Sequence, residues 1–249
     1  MNILSTSIAF LVLVYVAYKV SYEVNKPTVA LPRQHTVGVI LLNYKRPHNL
    51  KSSLPRLSSY SLLDHIVVSH GHPDFADASF EHPKVSHMMD FENNDLYGGA
   101  RRFINAAMLD TDFVLFLDDD IIPEEHMLAE MYNAVLRYDT IAGPISRSCT
   151  SNGYGQWHPH NAVLTPALMC RRSFVEDYMR NAFPKFRQWL VDHHGNCEDL
   201  SFNAYLRQTG KQPYIAKYKD YTELDISDGY HAGSDHFKIR SEFCRLHFS

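Results

Sequence analysis

The sequence of 249 residues is long enough for one α/β domain with a sizeable core. Its hydrophobic content of 45% and charged content of 21% are typical of a globular protein and exclude a largely disordered chain. The net charge of −4 gives no basic excess, which argues against duplex nucleic acid as a partner, because such binding depends on Lys and Arg.

The amino-terminal segment predicts a membrane anchor. No charged residue lies between Ile3 and Tyr18, and the polar, proline-containing stretch that follows argues against a helix of the domain core. The length is marginal, because a spanning helix needs about 17 to 20 apolar residues. We predict an uncleaved signal-anchor helix over residues 1–20, a short stem over 21–34 and a single domain over 35–249.

The orientation of this anchor is open from the sequence alone. Basic residues follow the span at Lys19, Lys26 and Arg33, and the positive-inside rule by itself would leave the domain in the cytosol. We expect a single-pass type II protein of the secretory pathway, in the endoplasmic reticulum or the Golgi. The cytosol-facing orientation is the alternative.

Strands and helices alternate in the first half of the domain. Unbroken apolar runs predict buried strands, and Pro47 and Pro123 each mark a helix start. The predicted strands cover 36–42, 65–69, 85–89 and 113–117, and the predicted helices cover 47–57 and 96–108, with a further helix beginning at Pro123. This alternation predicts an α/β fold with a Rossmann-like, mostly parallel sheet.

The second half is built from shorter elements. The predicted strands cover 141–144, 162–164 and 167–170, and the predicted helices cover 172–180 and 184–193. Asn196 is a candidate N-cap for one more helix, which Gly210 would end. Alternating apolar residues in the same stretch leave a strand open there. We predict that residues 35–120 bind a nucleotide and that residues 121–249 bind an acceptor.

Three consecutive aspartates, Asp118, Asp119 and Asp120, directly follow the apolar strand 113–117. Ligands of open α/β sheets bind beyond the carboxyl ends of such strands. Because three carboxylates repel one another, a hard divalent cation bound to phosphate oxygens is the expected partner. We predict that Asp120 binds Mn²⁺ or Mg²⁺ directly, and that Asp118 and Asp119 reach ribose hydroxyls or metal-bound waters. The alternative is that these acids only favour the start of the next helix.

A second acidic pair, Glu198 and Asp199, stands at the start of the helix predicted after Asn196. Acids at helix starts are common, so the pair alone is a weak indication of function. The position of the pair in the chain strengthens this indication, because a carboxylate that follows a metal-binding cluster can face the reacting group of the substrate. We therefore predict catalytic roles for Glu198 and Asp199.

Five segments, taken in order, resemble the GT-A-type nucleotide-sugar glycosyltransferases, and most closely the exostosin-type (exostosin-like) domain. The matching segments are Asn43-Tyr44-Lys45-Arg46-Pro47, Arg102-Phe103, Leu117 to Asp120, Asn196-Cys197-Glu198-Asp199 and His236 to Cys244. The last two are the more specific, since they resemble the family's Asn-Cys-Asp-Asp and His-x-x-x-Arg-Ser-x-Cys motifs. One extra residue between Arg240 and Cys244 departs from the family's pattern.

The resemblance implies substrate contacts for several residues. It implies that Asn43, Tyr44 and Arg46 contact the nucleotide of the donor. Arg102 would lie near the diphosphate, where a guanidinium can make two parallel hydrogen bonds. His236 would assist the same leaving group.

The resemblance also implies the catalytic residues. Asp199 would lie close to the sugar, with Glu198 beside it, and Arg240 would support the diphosphate. The two cysteines of the last motifs, Cys197 and Cys244, would form a disulfide.

Together these similarities imply a single GT-A domain that transfers a sugar from a nucleoside diphosphate donor, with UDP expected, to a glycan or other hydroxyl acceptor. The transfer would depend on Mn²⁺ or Mg²⁺, retain the anomeric configuration and move a hexosyl or N-acetylhexosaminyl group. One alternative is an inverting transferase with Asp199 as general base. Another is a non-catalytic protein that binds glycan or nucleotide on the same fold. The expected partners are donor, acceptor and membrane, without nucleic acid, and a homo-oligomer is left open.

Overall fold

The computed structural model of the protein describes residues 3–28, 33–226 and 235–248. The helices are α1 (Ile3–Val24), α2 (Pro47–Ser59), α3 (Phe91–Tyr97), α4 (Arg101–Ala106), α5 (Glu125–Tyr138), α6 (Arg172–Asn181), α7 (Phe183–Asp192), α8 (Glu198–Gln208) and α9 (His236–His247). The strands are β1 (Val37–Asn43), β2 (His65–His70), β3 (Val85–Met89), β4 (Phe113–Asp118), β5 (Ile121–Pro123), β6 (Ala142–Gly143), β7 (Ser146–Thr150), β8 (Gly153–Gly155), β9 (Ala162–Val163), β10 (Ala167–Arg171), β11 (Tyr214–Ile215) and β12 (Tyr221–Glu223).

A seven-stranded sheet with the order β11-β6-β10-β4-β1-β2-β3 forms the centre of the domain. Strands β4, β1, β2 and β3 run parallel to one another, and β10 lies antiparallel to β4. The expected α/β fold with a mostly parallel sheet is confirmed. Because Leu42 of β1 lies opposite Asp118 of β4, the residues that follow these two strands leave the sheet at the same edge.

The sheet is buried on both faces. In β1, Ile40 and Leu42 pack into one hydrophobic cluster with residues of α4, α6 and α8, whereas Val39 and Leu41 pack into a second cluster with α2 and α5. Burial on both faces explains why β1 and β4 are apolar without alternation. The resulting helix–sheet–helix layers hold the carboxyl edge of the sheet in place.

The helix predicted over 96–108 is interrupted, and this prediction is wrong in its extent. α3 ends at Tyr97, a 3₁₀ turn covers Gly98–Ala100, and α4 begins only at Arg101. Gly98 has a φ of 50°, outside the right-handed helical region, which ends α3 there.

The helix expected to begin at Pro123 begins at Glu125 instead. Residues Ile121–Pro123 form β5, which pairs antiparallel with β12. The amide of Leu224 then donates to the backbone oxygen of Asp120 at 2.8 Å. This pairing joins segments almost a hundred residues apart in the chain and places the residues after β12 beside the three aspartates.

The amino-terminal segment forms a helix, α1, as predicted. Within the described residues no helix is both long and apolar enough to span a membrane, so the predicted anchor is not confirmed. The end of α1 lies against the domain, where Tyr22 hydrogen-bonds to Asp220 and the hydroxyl of Tyr218 donates to the backbone oxygen of Asn25 at 2.8 Å.

The disulfide joins Cys149 of β7 to Cys244 of α9, with a Cα–Cα distance of 5.1 Å. Cys197, like Cys170, is a free, buried thiol, so the predicted Cys197–Cys244 bridge is wrong. The extra residue between Arg240 and Cys244 accounts for the change, because one residue turns a side chain by about 100° around a helix. Cys244 therefore points to β7, while the Sγ of Cys197 lies near the side chain of Asn196.

A chain of hydrogen-bonded polar side chains runs from the buried Asn43 and His70, at the carboxyl ends of β1 and β2, to the half-buried His87 in the middle of β3. Asn43 donates to Nδ1 of His70 at 2.9 Å, Nε2 of His70 lies 3.0 Å from Nδ1 of His87, and Nε2 of His87 lies 3.2 Å from the oxygen of Phe80. This order requires both rings to be neutral, each with its proton on Nε2. Burial, together with His87, lowers the pKa of His70 to about 4.

We expect the stability of the protein to fall by about 2 kcal/mol between pH 7.5 and pH 5 because of His70. The unfolded chain, in which a histidine has a pKa near its usual 6.5, takes up the proton that the folded state resists, so folding weakens as the pH falls below that value. Urea unfolding at both pH values would measure this. The H70N variant should lose this part of the pH dependence, whereas H72N, at the next histidine, should keep it. An equal pH dependence in H70N and the unaltered protein would contradict the assignment.

Candidate active site

A cavity of about 730 Å³ opens at the carboxyl edge of the sheet, within the size range of small-molecule sites. It brings together every predicted substrate, metal and catalytic residue except Asn43. The predicted residues that line it are Tyr44, Arg46, Arg102, Asp118, Asp119, Asp120, Glu198, Asp199, His236 and Arg240. Asn43 is fully buried next to the cavity, where its side-chain amide donates hydrogen bonds to Nδ1 of His70 and to the backbone oxygen of Phe75.

The three aspartates at the end of β4 lie against two arginines. Arg46 contacts Asp119 at 2.5 Å and Asp120 at 2.9 Å, and Arg102 contacts Asp118 at 2.8 Å. The repulsion among the carboxylates, from which we predicted a metal, is thus already reduced by two guanidinium groups. The charge pattern alone therefore does not require a metal.

Asp119 and Asp120 are nevertheless unusual carboxylates. Burial raises the pKa of Asp119 to about 7, against the opposing effect of Arg46. Burial and the neighbouring Asp118 also raise the pKa of Asp120. One buried oxygen of Asp119 has no hydrogen-bond partner among the described residues. Perturbed, under-satisfied carboxylates facing a cavity are typical of a functional site.

A buried ion pair also lines the cavity. An Nη of Arg240, from α9, lies 2.7 and 2.6 Å from the two oxygens of Asp199, from α8. The backbone amide of Leu200 also donates to Asp199 at 2.7 Å. The guanidinium lies over the ring of Tyr154, 4.5 Å from its centroid. Burial opposes the charge of Arg240, but Asp199 together with Tyr154, Cys197 and Glu198 outweighs burial and raises the pKa of the arginine.

Glu198 precedes Asp199 in the chain and lines the same cavity. Its carboxylate accepts a hydrogen bond from the hydroxyl of Thr165 at 2.9 Å and lies 3.9 Å from Arg102. Burial and the nearby Asp199 raise the pKa of Glu198. Glu198 is thus close to Arg102, the arginine that contacts Asp118.

A family model for the glycosyl transferase family 64 domain matches residues 36–249 of the chain. The chain belongs to glycosyl transferase family 64. A comparison with curated proteins finds no significant match. Among solved structures, the chain is similar to the mannosyltransferase PcManGT from Pyrobaculum calidifontis in complex with GDP-Man and Mn²⁺, with a TM-score of 0.55 and 15% identity. That match covers 91% of this chain and 68% of the other, and it shows a common fold.

The family 64 domain offers a partial site for a divalent metal. Among the described residues, no group of three or more His, Cys, Asp or Glu side chains is arranged to hold a metal ion. Asp120, however, is a hard oxygen donor, 20% exposed to the cavity. Cations such as Mg²⁺ are commonly held by one or two carboxylates, with substrate phosphates and water completing the shell. The residues present fit that kind of metal site, and Asp120 would be the direct ligand.

The start of α8 differs from our prediction. Cys197, with a φ of 75°, occupies the N-cap position and makes no side-chain cap, so the expected Asn196 cap is wrong. The side-chain oxygen of Asn196 instead faces Arg240 at 3.4 Å. The helix itself is confirmed over the strand alternative, and Gly210 follows its end with a φ of 78°.

Two glycines bring the walls of this family 64 site together. A Cβ on Gly98 would collide with the backbone of His194, and a Cβ on Gly195 would collide with the backbone of Tyr97. Both residues have positive φ, which glycine adopts without strain. The loop before Arg102 and the loop before Asp199 therefore meet backbone to backbone.

Several cavity residues have no sequence signature. Arg101 makes five hydrogen bonds to uncharged acceptors, which lie at the ends of β1 and β2, on Asn94 and on Gly98, and burial lowers its pKa to about 10. Arg147 and Phe237 line the cavity together with Tyr154. Only Tyr154 could be suggested from the sequence, as an aromatic residue in a glycine-rich stretch that can stack on a sugar.

Proposed function

We propose that this domain transfers a sugar from a nucleoside diphosphate donor to an acceptor hydroxyl, with the help of a divalent cation. One observation carries the proposal: the three aspartates with Arg46 and Arg102 line the same cavity as the Asp199–Arg240 pair. Such a site can bind a diphosphate through its arginines and stabilise positive charge on the sugar through Asp199. The closer relation to the exostosin-type domain is part of this proposal.

The arginines would bind the leaving group. Arg102 and Arg240 both line the cavity, and guanidinium groups bind phosphate oxygens with two parallel hydrogen bonds. A divalent cation held by Asp120 would neutralise the charge that develops on the departing diphosphate. Asp118 lies next to this ligand and would reach ribose hydroxyls or metal-bound waters.

Asp199 would stabilise the positive charge of an oxocarbenium-like transition state. Both of its oxygens are held by Arg240, and Leu200 adds a backbone hydrogen bond. A proton moved to Asp199 would leave Arg240 buried without its counter-ion, which is costly. These contacts support an electrostatic role, and with it retention, over the role of a general base. Measuring the anomeric coupling of the product by NMR tests this, since an inverted product would overturn it.

The donor class is open to a direct experiment. The resemblance favours UDP-sugars, whereas the similar mannosyltransferase is in complex with GDP-Man. We propose a UDP-hexose or UDP-N-acetylhexosamine as donor and a glycan or other hydroxyl compound as acceptor. Tyr44, which follows β1, lines this cavity and would contact the nucleotide.

We expect the melting temperature of the full chain to rise by about 5–10 °C with the correct donor and Mn²⁺, each near 100 times its dissociation constant. UDP-, GDP- and dTDP-sugars should be compared with and without Mn²⁺. The D120N variant should lose the metal-dependent part of the shift, while K45Q, altered on a neighbouring cavity residue outside the acidic cluster, should keep it.

The same screen identifies failure. A shift with a donor that is equal with and without Mn²⁺ would remove the metal from the proposal. No shift with any donor would favour a protein that binds glycan on this fold without transferring sugar. Turnover that D120N retains in full would show that Asp120 is not the ligand.

A further inference from the structure

Arg46 occupies an unusual place in the acidic cluster. It stands between β1 and α2, and its guanidinium reaches across to the end of β4. One Nη lies 2.5 Å from Asp119, and the other lies 2.9 Å from Asp120. Its side chain is 12% exposed. The arginine therefore already neutralises the carboxylate that fits a divalent cation best.

We propose that Arg46 is an internal counter-cation that competes with the divalent metal for Asp120, so that metal and nucleotide bind the site together. The inference rests on the proposed function, since it concerns the same metal and donor. A guanidinium and a divalent ion on one carboxylate repel each other, and in a partly buried cavity this repulsion is weakly screened. Free metal should consequently bind poorly while Arg46 stays on Asp120.

A bound nucleotide changes this balance. The diphosphate brings negative charge into the cavity, and a guanidinium binds phosphate at least as well as it binds a carboxylate. Arg46 could then leave Asp120 for a phosphate oxygen while Asp119 still holds its other Nη. The nucleotide should therefore raise the affinity for metal, and the metal should raise the affinity for nucleotide by the same factor.

Two other basic side chains that line the cavity, those of Arg102 and Lys45, make no ion pair with Asp120 in the described part of the structure. Arg102 contacts Asp118, which is not the residue that fits as the direct ligand. Lys45, the neighbour of Arg46, lies over the ring of Tyr44, 5.1 Å from its centroid. Lys45 is therefore a matched control, because its removal takes one positive charge from the same loop without changing the contacts of Asp120.

Removing Arg46 takes the partner from the buried Asp119 and should destabilise the protein, but it should leave the segment after β12 in place. Arg46 also donates to the backbone oxygen of Asp225 at 3.2 Å. Asn49 donates to that same oxygen at 2.9 Å, and His48 lies 3.0 Å from the carboxylate of Asp225. The segment after β12 thus keeps two contacts to α2 when Arg46 is replaced.

The test is a Mn²⁺ titration of the full chain, with free Mn²⁺ followed by electron paramagnetic resonance, in the absence and presence of UDP or GDP. We expect R46Q to bind Mn²⁺ alone tighter than the unaltered protein by on the order of tenfold or more. The gain in Mn²⁺ affinity on adding nucleotide should be smaller in R46Q. The Mn²⁺ affinity of K45Q should equal that of the unaltered protein. The R46K variant keeps the charge but not the two-point contact, so its Mn²⁺ affinity should lie between those of the unaltered protein and R46Q.

Two outcomes separate this inference from the proposed function. The first outcome is that the unaltered protein binds Mn²⁺ in the presence of nucleotide, but R46Q binds Mn²⁺ alone no more tightly than the unaltered protein binds Mn²⁺ alone. In that case the proposed competition by Arg46 is wrong. If neither protein binds Mn²⁺ with any nucleotide, the metal-dependent function itself fails. Circular dichroism checks the fold of each variant, and should R46Q not fold, an R46K affinity equal to that of the unaltered protein overturns the inference.

Discussion

Replacing Asp199 by asparagine is expected to slow sugar transfer by on the order of 10²- to 10³-fold or more, while donor affinity stays within a few-fold. The reason is the place of the carboxylate. Asp199 lines the same cavity as the aspartates that would bind the metal, and it would act on charge that exists only in the transition state. Calorimetry with UDP or GDP and Mn²⁺, beside a turnover assay, measures both quantities.

The control for this prediction is stability, because D199N removes the counter-ion of the buried Arg240. Breaking such a pair destabilises a protein by about 3–5 kcal/mol. The R240Q variant breaks the same pair from the other side and serves as the matched comparison. Unfolding curves show the range of temperature in which both variants stay folded. Full turnover by folded D199N would contradict a catalytic role for Asp199.

Removing the Cys149–Cys244 disulfide is expected to lower the free energy of unfolding by about 4–5 kcal/mol. The two cysteines are 95 positions apart in the sequence, so the bridge closes a long loop. This loop restricts the conformations that the unfolded chain can adopt. It also ties α9, which carries Arg240, to β7. Urea unfolding of C149A with and without reducing agent measures the effect, which the reducing agent should reproduce in the unaltered protein.

Cys197 provides the control, since it is buried but free. The C197A variant should unfold with the same response to reducing agent as the unaltered protein. Peptide mapping of the oxidised protein should recover Cys149 linked to Cys244. A peptide that links Cys197 to Cys244 would contradict the structure and restore the pairing that the family resemblance implied.

The pattern of neighbouring residues in the sequence correctly predicted the strand β4 and the start of α2. The run 113–117 is apolar throughout because both faces of β4 are buried, and that same position puts Asp118 to Asp120 at the edge where ligands bind. Pro47 opens α2 as expected, since a proline at the first helical position lacks only an amide that needs no partner there.

Long-range contacts explain what the sequence left open. The pairing of β5 with β12 changes Pro123 from a helix start to the end of a strand, and nothing near Pro123 indicates a partner so distant in the chain. The contacts of Arg46 with Asp119 and Asp120 are equally non-local, so carboxylate repulsion suggested a metal where an arginine also acts. The disulfide partner depended on the rotation of Cys244 around α9.

Gly98 and Gly195 constrain how relatives of this protein can diverge. Both glycines line the cavity, and a methyl group at either one would push the opposite backbone away. Sequence change at the two positions should therefore be correlated, with both glycines kept or both replaced. Engineering that lengthens the loop before Arg102 to admit a larger donor would also displace the loop before Asp199, so donor range and catalytic rate should prove hard to alter separately.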